Sequence, residues 1–540
     1  MTDQLVDNVA GEPVGIQLRP RERAAHVTLV RPPVVVMPHS LAAHGPIPPI
    51  GLAYVASAVR SAGHTVQLID APGEALDQWE PFETPVGTVQ RIGLSSEQIV
   101  ERIDPASRVV GITNMFQHEW PQVREIVALI EERRPDVFIV LGGENATAFR
   151  EWILDEAPGV DCVVLGEGEA TMVELLRRLT SGESLDGMSG VLVREGSDGR
   201  PIDAGLPRRL DRTDLETVAR PAWDLVPLQN YWAHYPFLGV NRGRSMPILG
   251  TRGCPYKCSF CSSPQMWTTR YVMREPEDVV DEIVEYVEQH DVQNVNFVDL
   301  TAATNRKWIL GLCDALERRA PGITWQLPIG TRAEAIDAEV LQRLWDTGCR
   351  NISLCPESGS ERMIEVYDKR VKLSHILESV RNAKQVGIWT VVHIIIGHPE
   401  ERWSDVWRSV TFLVRAALAG CSDAAVIMFC PYPGSKDFRE LLDSGELTID
   451  EEAYYVGLLR SSSSNRSWNH RMSSRQLRLL QLGMLSVFYA VSMLRRPTRI
   501  IGFVRSLMGK AEETYLDQVV RTLRRNLTPS SSQGDQPRAA

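Results

Sequence analysis

Three cysteines with the spacing C-x3-C-x2-C constrain this chain more than any other feature of its sequence. They are Cys254, Cys258 and Cys261, and they follow an apolar run, Met246 to Leu249, that reads as a β-strand. Thiolates are natural ligands of iron–sulfur clusters, and a cube of four irons usually takes four of them. Three thiolates leave one iron open to a small molecule, as catalytic metal sites keep one coordination position free. The spacing therefore predicts a [4Fe–4S] cluster on a loop that follows a strand.

Two other uses of the triad fit the sequence less well. A disulfide needs an oxidising compartment, whereas the polar residues Met1 to Arg23 lack the apolar core of a signal peptide. A structural zinc site would want a fourth ligand close by, and the next candidate, His290, is far along the chain. The nine cysteines therefore indicate reduced thiols in a cytoplasmic protein.

The triad, with aromatic Phe260 directly before its last cysteine, resembles the cluster loop of the radical S-adenosylmethionine (SAM) superfamily. The resemblance implies that Cys254, Cys258 and Cys261 hold an oxygen-sensitive [4Fe–4S] cluster whose open iron is chelated by SAM. It also implies an electron donor of the flavodoxin or ferredoxin kind. One electron from the cluster would then cleave SAM to methionine and a 5′-deoxyadenosyl radical.

Residues 26–190 contain five apolar strands that alternate with amphipathic helices. This alternation predicts an α/β domain with a doubly wound parallel sheet, Rossmann- or flavodoxin-like, covered by helices on both faces. Such sheets bind ligands at the carboxyl ends of their strands, near the point where the strand order reverses. We expect the segment from Ala71 to Leu94 to be a loop.

Glycines follow several of these strands, where the backbone can approach a bulky ligand closely. Each glycine pair alone would equally suit an ordinary tight turn. Four motifs in order resemble the cobalamin-binding domain found ahead of many radical SAM barrels: Pro48 to Ala53, Val110 to Thr113, Leu141 to Glu144 and Val164 to Glu169. The resemblance implies cobalamin contacts from Thr113, Asn114, Gly142, Gly143, Gly166, Glu167 and Gly168.

One departure concerns the lower face of cobalt. Cobalamin domains of the mutase type carry Asp-x-His-x-x-Gly, and no histidine in this chain has an aspartate two residues before it. His39 and His44 lie in the first strand's loop at the wrong spacing, and we interpret them as solvated residues. The departure implies weakly held cobalt, which favours cycling between cob(I)alamin and methylcobalamin.

Residues 191–245 read as a linker between two domains. Glu195 to Pro201 has the composition of a turn in a hairpin, and Leu210 to Pro227 is expected to run between the domains. We expect its aromatic residues to pack between the domains rather than to line a substrate crevice, because large aromatics dominate interface burial. These residues are Trp223, Tyr231, Trp232, Tyr235 and Phe237.

Residues 246–435 contain six strand–helix units, which predict a partial (β/α)6, TIM-like barrel as in the radical SAM core. Functional groups on such barrels lie at the carboxyl ends of the strands. The resemblance implies SAM contacts from Phe260, Glu357, Ser358, Gly397 and Glu400, with Asp299 and Arg332 as further candidates. His393 stands where the fuller fifth-strand pattern has an earlier glycine, so the adenine contact departs from that pattern.

No residue is assigned as a catalytic acid or base. Cys355 and Cys430 each end a barrel strand, where an extra thiol can donate hydrogen to a radical. We interpret both as small buried hydrophobes, which is the common role of a free cysteine. His393 and His398 are likewise interpreted as core or loop histidines rather than proton acceptors.

Residues 436–525 are predicted to be helical, and Arg475 to Leu494 is a strongly apolar helix that we expect to cap the active site. Polar residues such as Gln481 interrupt it, which argues against a membrane span. An interfacial helix that makes peripheral membrane contact is the alternative. Residues 1–25 and 526–540 are expected to be disordered tails.

The net charge of −11 argues against a nucleic-acid partner, because phosphates would be repelled. The resemblance implies a cobalamin-dependent radical SAM methyltransferase that acts on an unactivated carbon of a small or medium-sized, natural-product-like substrate. A cyclase or ring-rearranging enzyme without methyl transfer stays open as an alternative. A transfer-RNA methylthiotransferase would need a second cysteine triad upstream, and only Cys162 precedes Cys254. A cobalamin carrier would not need the triad.

Overall fold

The computed structural model describes residues 24–37, 46–194, 201–203, 205–206, 211–234, 239–461 and 466–500. His39, His44, Tyr235, Phe237, most of the predicted hairpin turn and the tail at 526–540 lie outside these residues. Most of the tail predicted at 1–25 lies outside them as well, so these predictions stay untested. Two large β-sheets, one in each half of the chain, organise the described residues.

The N-terminal sheet has seven strands, of which five are parallel. In spatial order they are Pro201–Asp203, Val191–Arg194, Cys162–Val164, Phe138–Gly142, Val109–Thr113, His26–Arg31 and Thr65–Asp70. The first two run antiparallel to their neighbours and form the predicted hairpin. Strand order reverses between His26–Arg31 and Val109–Thr113, which is where sheets of this kind bind ligands.

Helices cover this sheet because its central strands are apolar on both faces. They are Ile50–Ser61, Ala71–Glu74, Ser96–Arg102, Trp120–Arg133, Glu144–Ala148, Arg150–Glu156 and Gly168–Ser181. Ser95 caps its helix with a capping box, in which Ser95 Oγ accepts from the Gln98 N–H and Gln98 Oε1 accepts from the Ser95 N–H.

The segment from Ala71 to Leu94 is not a loop, and that prediction was wrong. Trp79–Thr84 and Gly87–Ile92 form a hairpin, and Val34–Val36 pairs with it to make a three-stranded antiparallel sheet. Trp79–Thr84 alternates between exposed and half-buried positions and contains Pro81, so its sequence lacks the apolar contrast of a buried strand. The pairing with Val34–Val36, far along the chain, completes the sheet.

Of the predicted linker 191–245, Val191–Arg194 and Pro201–Asp203 belong to the first sheet, and the later described residues contact both halves of the molecule. The linker contains the helices Arg212–Thr217 and Leu228–His234. The Ala222 N–H donates to the Ala53 carbonyl in the first half at 3.0 Å. The Trp223 Nε1–H donates to the Tyr286 hydroxyl in the second half at 2.9 Å. Trp223 and Tyr231 are buried, and the Tyr231 hydroxyl donates to Asp70 of the first half at 2.7 Å.

The C-terminal sheet has six parallel strands whose spatial order is their chain order. They are Ser245–Ile248, Asn294–Phe297, Thr324–Thr331, Cys349–Glu357, Trp389–Ile396 and Asp423–Met428. The main helices between them are Pro276–His290, Arg306–Arg319, Ala338–Asp346, Glu361–Val366, Leu373–Val386 and Trp403–Ala419. A strand followed by a helix thus repeats along this half, as the sequence predicts.

The apolar helix near the C-terminus is Ser474–Arg495, and its role as a cap of the active site stays a prediction. It lies along the last strand and packs against the helix Trp403–Ala419. The Gln481 Nε2 donates to the Val426 carbonyl of that strand at 2.7 Å. Its buried stripe, which includes Phe488, packs against this strand and helix, and Leu477 near its first turn packs against Gly397 at the end of the fifth barrel strand.

Within the described residues, Ser474–Arg495 is also the one helix long and apolar enough to cross a membrane by length and composition. Only 28% of its most apolar window is buried in the fold. Leu479 and Leu494 are 70% and 83% exposed. The helix therefore has a packed face and an apolar outer face.

Candidate functional site

The cluster loop is held by a short antiparallel ribbon of Thr251–Gly253 and Tyr271–Met273. Asp299, at the end of the second barrel strand, anchors the ribbon: the Thr251 Oγ1–H donates to its carboxylate at 2.6 Å, and the Gly250 N–H does so at 3.2 Å. Burial raises the pKa of Asp299 to about 6, and these donors oppose the shift. Asp299 therefore positions the loop rather than facing the site.

The three thiols of the loop lie close enough to affect one another. Burial raises the pKa of Cys254, Cys258 and Cys261, and charge on a neighbouring thiol raises each further. Lys369 and Arg332 lower the pKa of Cys254 and Cys258. Three mutually repelling thiolates beside two cations suit a bound metal cluster chemically. No three His, Cys, Asp or Glu side chains in the described ranges are already gathered into a metal site, so the fit rests on the donor set.

Arg332 and Lys369 also contact the aromatic residues of the loop. The Arg332 guanidinium lies 3.4 Å from the centroid of the Tyr256 ring, and its Nη1–H donates to the Arg370 carbonyl at 2.7 Å. The Lys369 Nζ lies 5.8 Å from the centroid of the Phe260 ring. Cation–π contacts of this kind fix both the ring and the charge. Phe260 thus contributes to the frame of the cluster loop.

Glu357 ends the fourth barrel strand at an irregularity in the register, with φ at +65°. Such irregularities re-aim side chains next to functional sites. The Lys369 Nζ donates to Glu357 Oε1 at 2.6 Å, and both side chains are nearly buried. Ser358 faces away from the loop, because its hydroxyl lies 3.3 Å from Ser409 Oγ in the core. The structure therefore brings Glu357 to the cluster loop and leaves the Ser358 hydroxyl outside.

The carboxylate at the end of the fifth strand is Glu401 and not Glu400. The Glu400 side chain is 64% exposed and lies 4.0 Å from Arg362, so its predicted role at SAM is not supported. Glu401 is fully buried and its Oε2 accepts from the Gly397 N–H at 2.5 Å. Gly397, with φ at +88°, is packed against Leu477. The spacing from Gly397 predicted Glu400, whereas the carboxylate that is buried and bonded to Gly397 is that of Glu401.

The predicted cobalamin residues lie together at the carboxyl edge of the first sheet. Asn114 follows the strand Val109–Thr113, and Gly143 follows the strand Phe138–Gly142. Gly143 has φ at +110°, and a Cβ there would lie 2.7 Å from the Asn114 carbonyl oxygen, so only glycine fits. The Gly166 N–H donates to Thr147 Oγ1 at 3.0 Å. The strand ends that carry these residues, with Thr113 and Gly142, therefore form one surface.

This edge also contains buried amide atoms that have no hydrogen-bond partner among the described residues. Gln117 and Asn145 are 6% and 4% exposed. The atoms are both polar atoms of the Gln117 side chain and the Oδ1 of Asn145, whose Nδ2 donates to Asn114. Buried polar groups are normally paired, so unpaired amides point to a polar ligand. The corrin ring of cobalamin is rimmed by amide side chains, which fit these donors and acceptors. Met115 and Phe116, both exposed, add an apolar surface beside them.

Glu167 is occupied by a contact between the two halves. Its Oε1 lies 3.3 Å from Arg252 Nη1, and Glu169 Oε1 lies 2.6 Å from the same nitrogen. The guanidinium also lies 4.9 Å from the centroid of the Tyr54 ring. Gly168 packs against Val55 of the same helix as Tyr54. The Glu167 carboxylate therefore joins the domains, and a cobalamin contact from this turn would come from its backbone.

The remaining thiols and histidines divide between core and site. Cys430 is buried in the core, as interpreted from the sequence. Cys355 is half-buried and its Sγ lies against Gly330. His398 is buried with its Nε2 3.3 Å from Asp437 Oδ2, and His393 is half-buried. Burial raises the pKa of the Cys355 thiol to about 12, Glu357 and Cys258 also raise it, and Lys369 and Arg332 lower it, so this thiol lies beside the cluster loop.

Comparison with known proteins gives two family matches. The B12 binding domain family matches residues 40–176, which lie in the first half of the chain. The Radical SAM superfamily matches residues 248–413, which include the cluster loop and most of the second sheet. Both matches coincide with the regions that the sequence motifs single out.

Individual relatives extend over most of the chain. An uncharacterized methyltransferase of Pyrococcus horikoshii is 28% identical over 389 residues, which cover 72% of this chain and 77% of that protein. The anaerobic magnesium-protoporphyrin IX monomethyl ester cyclase of Rubrivivax gelatinosus is 28% identical over 413 residues, covering 75% and 68%. The radical SAM methyltransferase TsrM of Kitasatospora setae, solved with cobalamin and a [4Fe–4S] cluster, matches at 18% identity with a TM-score of 0.63, covering 93% and 99%. This last match shows a shared fold.

Proposed function

We propose that this chain, which belongs to the cobalamin-dependent radical SAM enzymes, transfers a methyl group to an unactivated carbon of a small or medium-sized organic substrate. The observation that carries the proposal is the contact between the cluster loop and the loops at the carboxyl edge of the first sheet. The loop with the three thiols lies directly against the glycine-rich edge of the first sheet, where Ser262 donates to Glu144. A methyl donor at one loop and a radical source at the other would then face the same space.

When bound, the cluster with SAM supplies a 5′-deoxyadenosyl radical and cobalamin supplies the methyl group. The chain's own residues hold and orient these groups. Cys254, Cys258 and Cys261 would hold the cluster, and Glu357, fixed by Lys369, would accept hydrogen bonds from SAM. The backbone at Gly397, held by Glu401, would flank the adenine.

We infer that the first sheet is a flavodoxin-like cobalamin domain and that the six-stranded sheet curves into a partial (β/α)6 barrel. The reversal of strand order in the first sheet and the ordered parallel strands of the second support this. The reductant is a flavodoxin- or ferredoxin-like protein, for which exposed Lys257 in the cluster loop offers a contact. Reduced thiols favour a cytoplasmic location.

Anaerobic incubation with SAM labelled at its methyl group tests the transfer. We expect the label in the product, together with methionine, 5′-deoxyadenosine and S-adenosylhomocysteine. A Cys258→Ala variant should form no 5′-deoxyadenosine, since it lacks one of the three cluster ligands. A variant with full activity would contradict the assigned role of the triad and favour a cobalamin carrier.

Cyclisation is the second candidate, because one relative that aligns with 75% of the chain is a cyclase. A cyclase would consume SAM, release methionine and 5′-deoxyadenosine, and leave the product unlabelled. The same incubation therefore separates the two functions, since only methyl transfer places label in the product.

A further inference from the structure

The short helix Glu144–Ala148 is hydrogen-bonded to Asn114, Gly143 and Gly166 of the predicted corrin edge. The Asn145 Nδ2 donates to Asn114 Oδ1 at 2.6 Å. The Thr147 Oγ1–H donates to the Gly143 carbonyl at 2.9 Å. The Gly166 N–H in turn donates to Thr147 Oγ1 at 3.0 Å. This helix thus connects the ends of the strands Val109–Thr113, Phe138–Gly142 and Cys162–Val164.

The same helix is bonded to the cluster loop. The Ser262 Oγ–H donates to Glu144 Oε1, and Ser262 directly follows the ligand Cys261. Burial raises the pKa of Glu144, and the Ser262 hydroxyl opposes the shift. Glu144 is half-buried, so losing the hydrogen bond from the Ser262 hydroxyl would raise the free energy of its carboxylate. The position of Ser262 therefore affects the position of Glu144.

Other contacts already hold the two halves together. Arg252 pairs with Glu167 and Glu169, and Trp223 bonds to Tyr286. The Glu144–Ser262 bond is therefore not required for the halves to stay joined. Its distinctive property is its location, between the last cluster ligand and Gly143.

We propose that the Glu144–Ser262 hydrogen bond couples occupancy of the corrin site to occupancy of the cluster loop, with Glu144 and Ser262 as positioning residues. The inference rests on the proposed function. A loop without its cluster loses the metal that fixes Cys261, so Ser262 shifts and Glu144 loses its donor. The tight packing of Gly143 against Asn114 passes the displacement to the corrin edge.

Equilibrium titration with hydroxocobalamin, followed by corrin absorbance, tests this coupling without turnover. The dissociation constant is measured in cluster-reconstituted protein and in the same protein stripped of iron by a chelator. We expect about fivefold or more tighter binding to the loaded protein, the lower end of typical coupling between sites. In Ser262→Ala and in Glu144→Ala the two constants should become equal, and the double variant should lose no more than either single variant.

Two controls separate coupling from damage. Ser259→Ala removes a hydroxyl from the same loop that bonds within the second half, to Asp437, so the ratio should stay at its wild-type value. Glu144→Gln keeps an oxygen that accepts from Ser262 and should restore most of the ratio. Iron content and thermal unfolding are measured for each variant, and if Ser262→Ala binds less iron, Glu144→Ala carries the test.

Equal constants in the two forms of the wild type, or an unchanged ratio in both alanine variants, would overturn the inference. Wild-type protein that binds no corrinoid in either form would instead overturn the proposed function. The two failures are therefore distinguishable.

Discussion

At the scale of single residues, Glu401 has a buried carboxylate with a raised pKa. Burial raises the pKa of Glu401 from 4.5 to about 8, the neighbouring charge of Asp405 raises it further, and Arg362 opposes the shift. Within the described part of the chain its Oε1 has no hydrogen-bond partner, while its Oε2 accepts from the Gly397 N–H. The folded protein therefore keeps this proton at pH values where the unfolded chain releases it.

A Glu401→Gln substitution tests this assignment. Between pH 4.5 and 8 the folded state binds more protons at Glu401 than the unfolded state, so its contribution to stability falls as pH rises and levels off above 8. We expect wild type to lose about 2–3 kcal/mol relative to Glu401→Gln between pH 6 and pH 8. Denaturant unfolding of both proteins at the two pH values measures the difference. A constant difference would show that Glu401 ionises at its ordinary pKa.

At the scale of elements, the helix Ser474–Arg495 is stabilised by one face only. Leu477 is buried against Gly397, whereas Leu479 is 70% exposed. Leu477→Ala should cost about 2–5 kcal/mol because it leaves a cavity beside the strand end. Leu479→Ala should stay within about 0.5 kcal/mol of wild type. Thermal unfolding of the two variants checks this, and equal losses would mean that the outer face is covered in solution.

The elements themselves were largely predictable from the sequence. Continuous apolar runs such as Val109–Thr113 need burial on both faces, so their period and length identify buried strands. The hairpin Trp79–Thr84 and Gly87–Ile92 was missed because its first strand has no buried position and its second buries two of six, so neither is a continuous apolar run. The packing of Ser474–Arg495 was missed because an apolar stripe does not specify its partner.

The site was predictable where chemistry fixes the residue type and spacing. The cysteine triad required no structure, since few sites use thiols at that spacing. Lys369 was not found, because its pairing with Glu357 depends on a turn that brings residues together after the strand ends. Glu144 belongs to the motif Leu141 to Glu144, but local sequence patterns could not predict its contact with Ser262, because that contact depends on how the two domains pack together.

At the scale of the whole molecule, Arg252 is a charged contact buried between the two halves. Its side chain is 6% exposed, and those of Glu167 and Glu169 are 4% and 9% exposed. Arg252→Met should destabilise the protein by about 3–5 kcal/mol, because both carboxylates lose their cation in a buried place. Adding Glu167→Gln and Glu169→Gln should recover most of the loss. Thermal unfolding measures each step.

The exposed pair of Arg60 and Asp224 is the matched control for this prediction. It also joins the first half to the linker, but its side chains are 46% and 61% exposed. Arg60→Met should change stability by no more than about 1 kcal/mol. A loss as large as that of Arg252→Met would mean that any charge between these regions matters, buried or not.

Each edge strand of the six-stranded sheet has a feature that hinders pairing with a strand of another molecule. Pro247 lies in the first strand, which pairs on one side only, and proline has no N–H to offer an added strand. On the opposite border, the Val426 carbonyl is taken by Gln481. Exposed edge strands can pair with strands of other molecules, which leads to aggregation. Protein stripped of its cluster and cobalamin should therefore remain free of aggregates at the protein concentrations used for reconstitution.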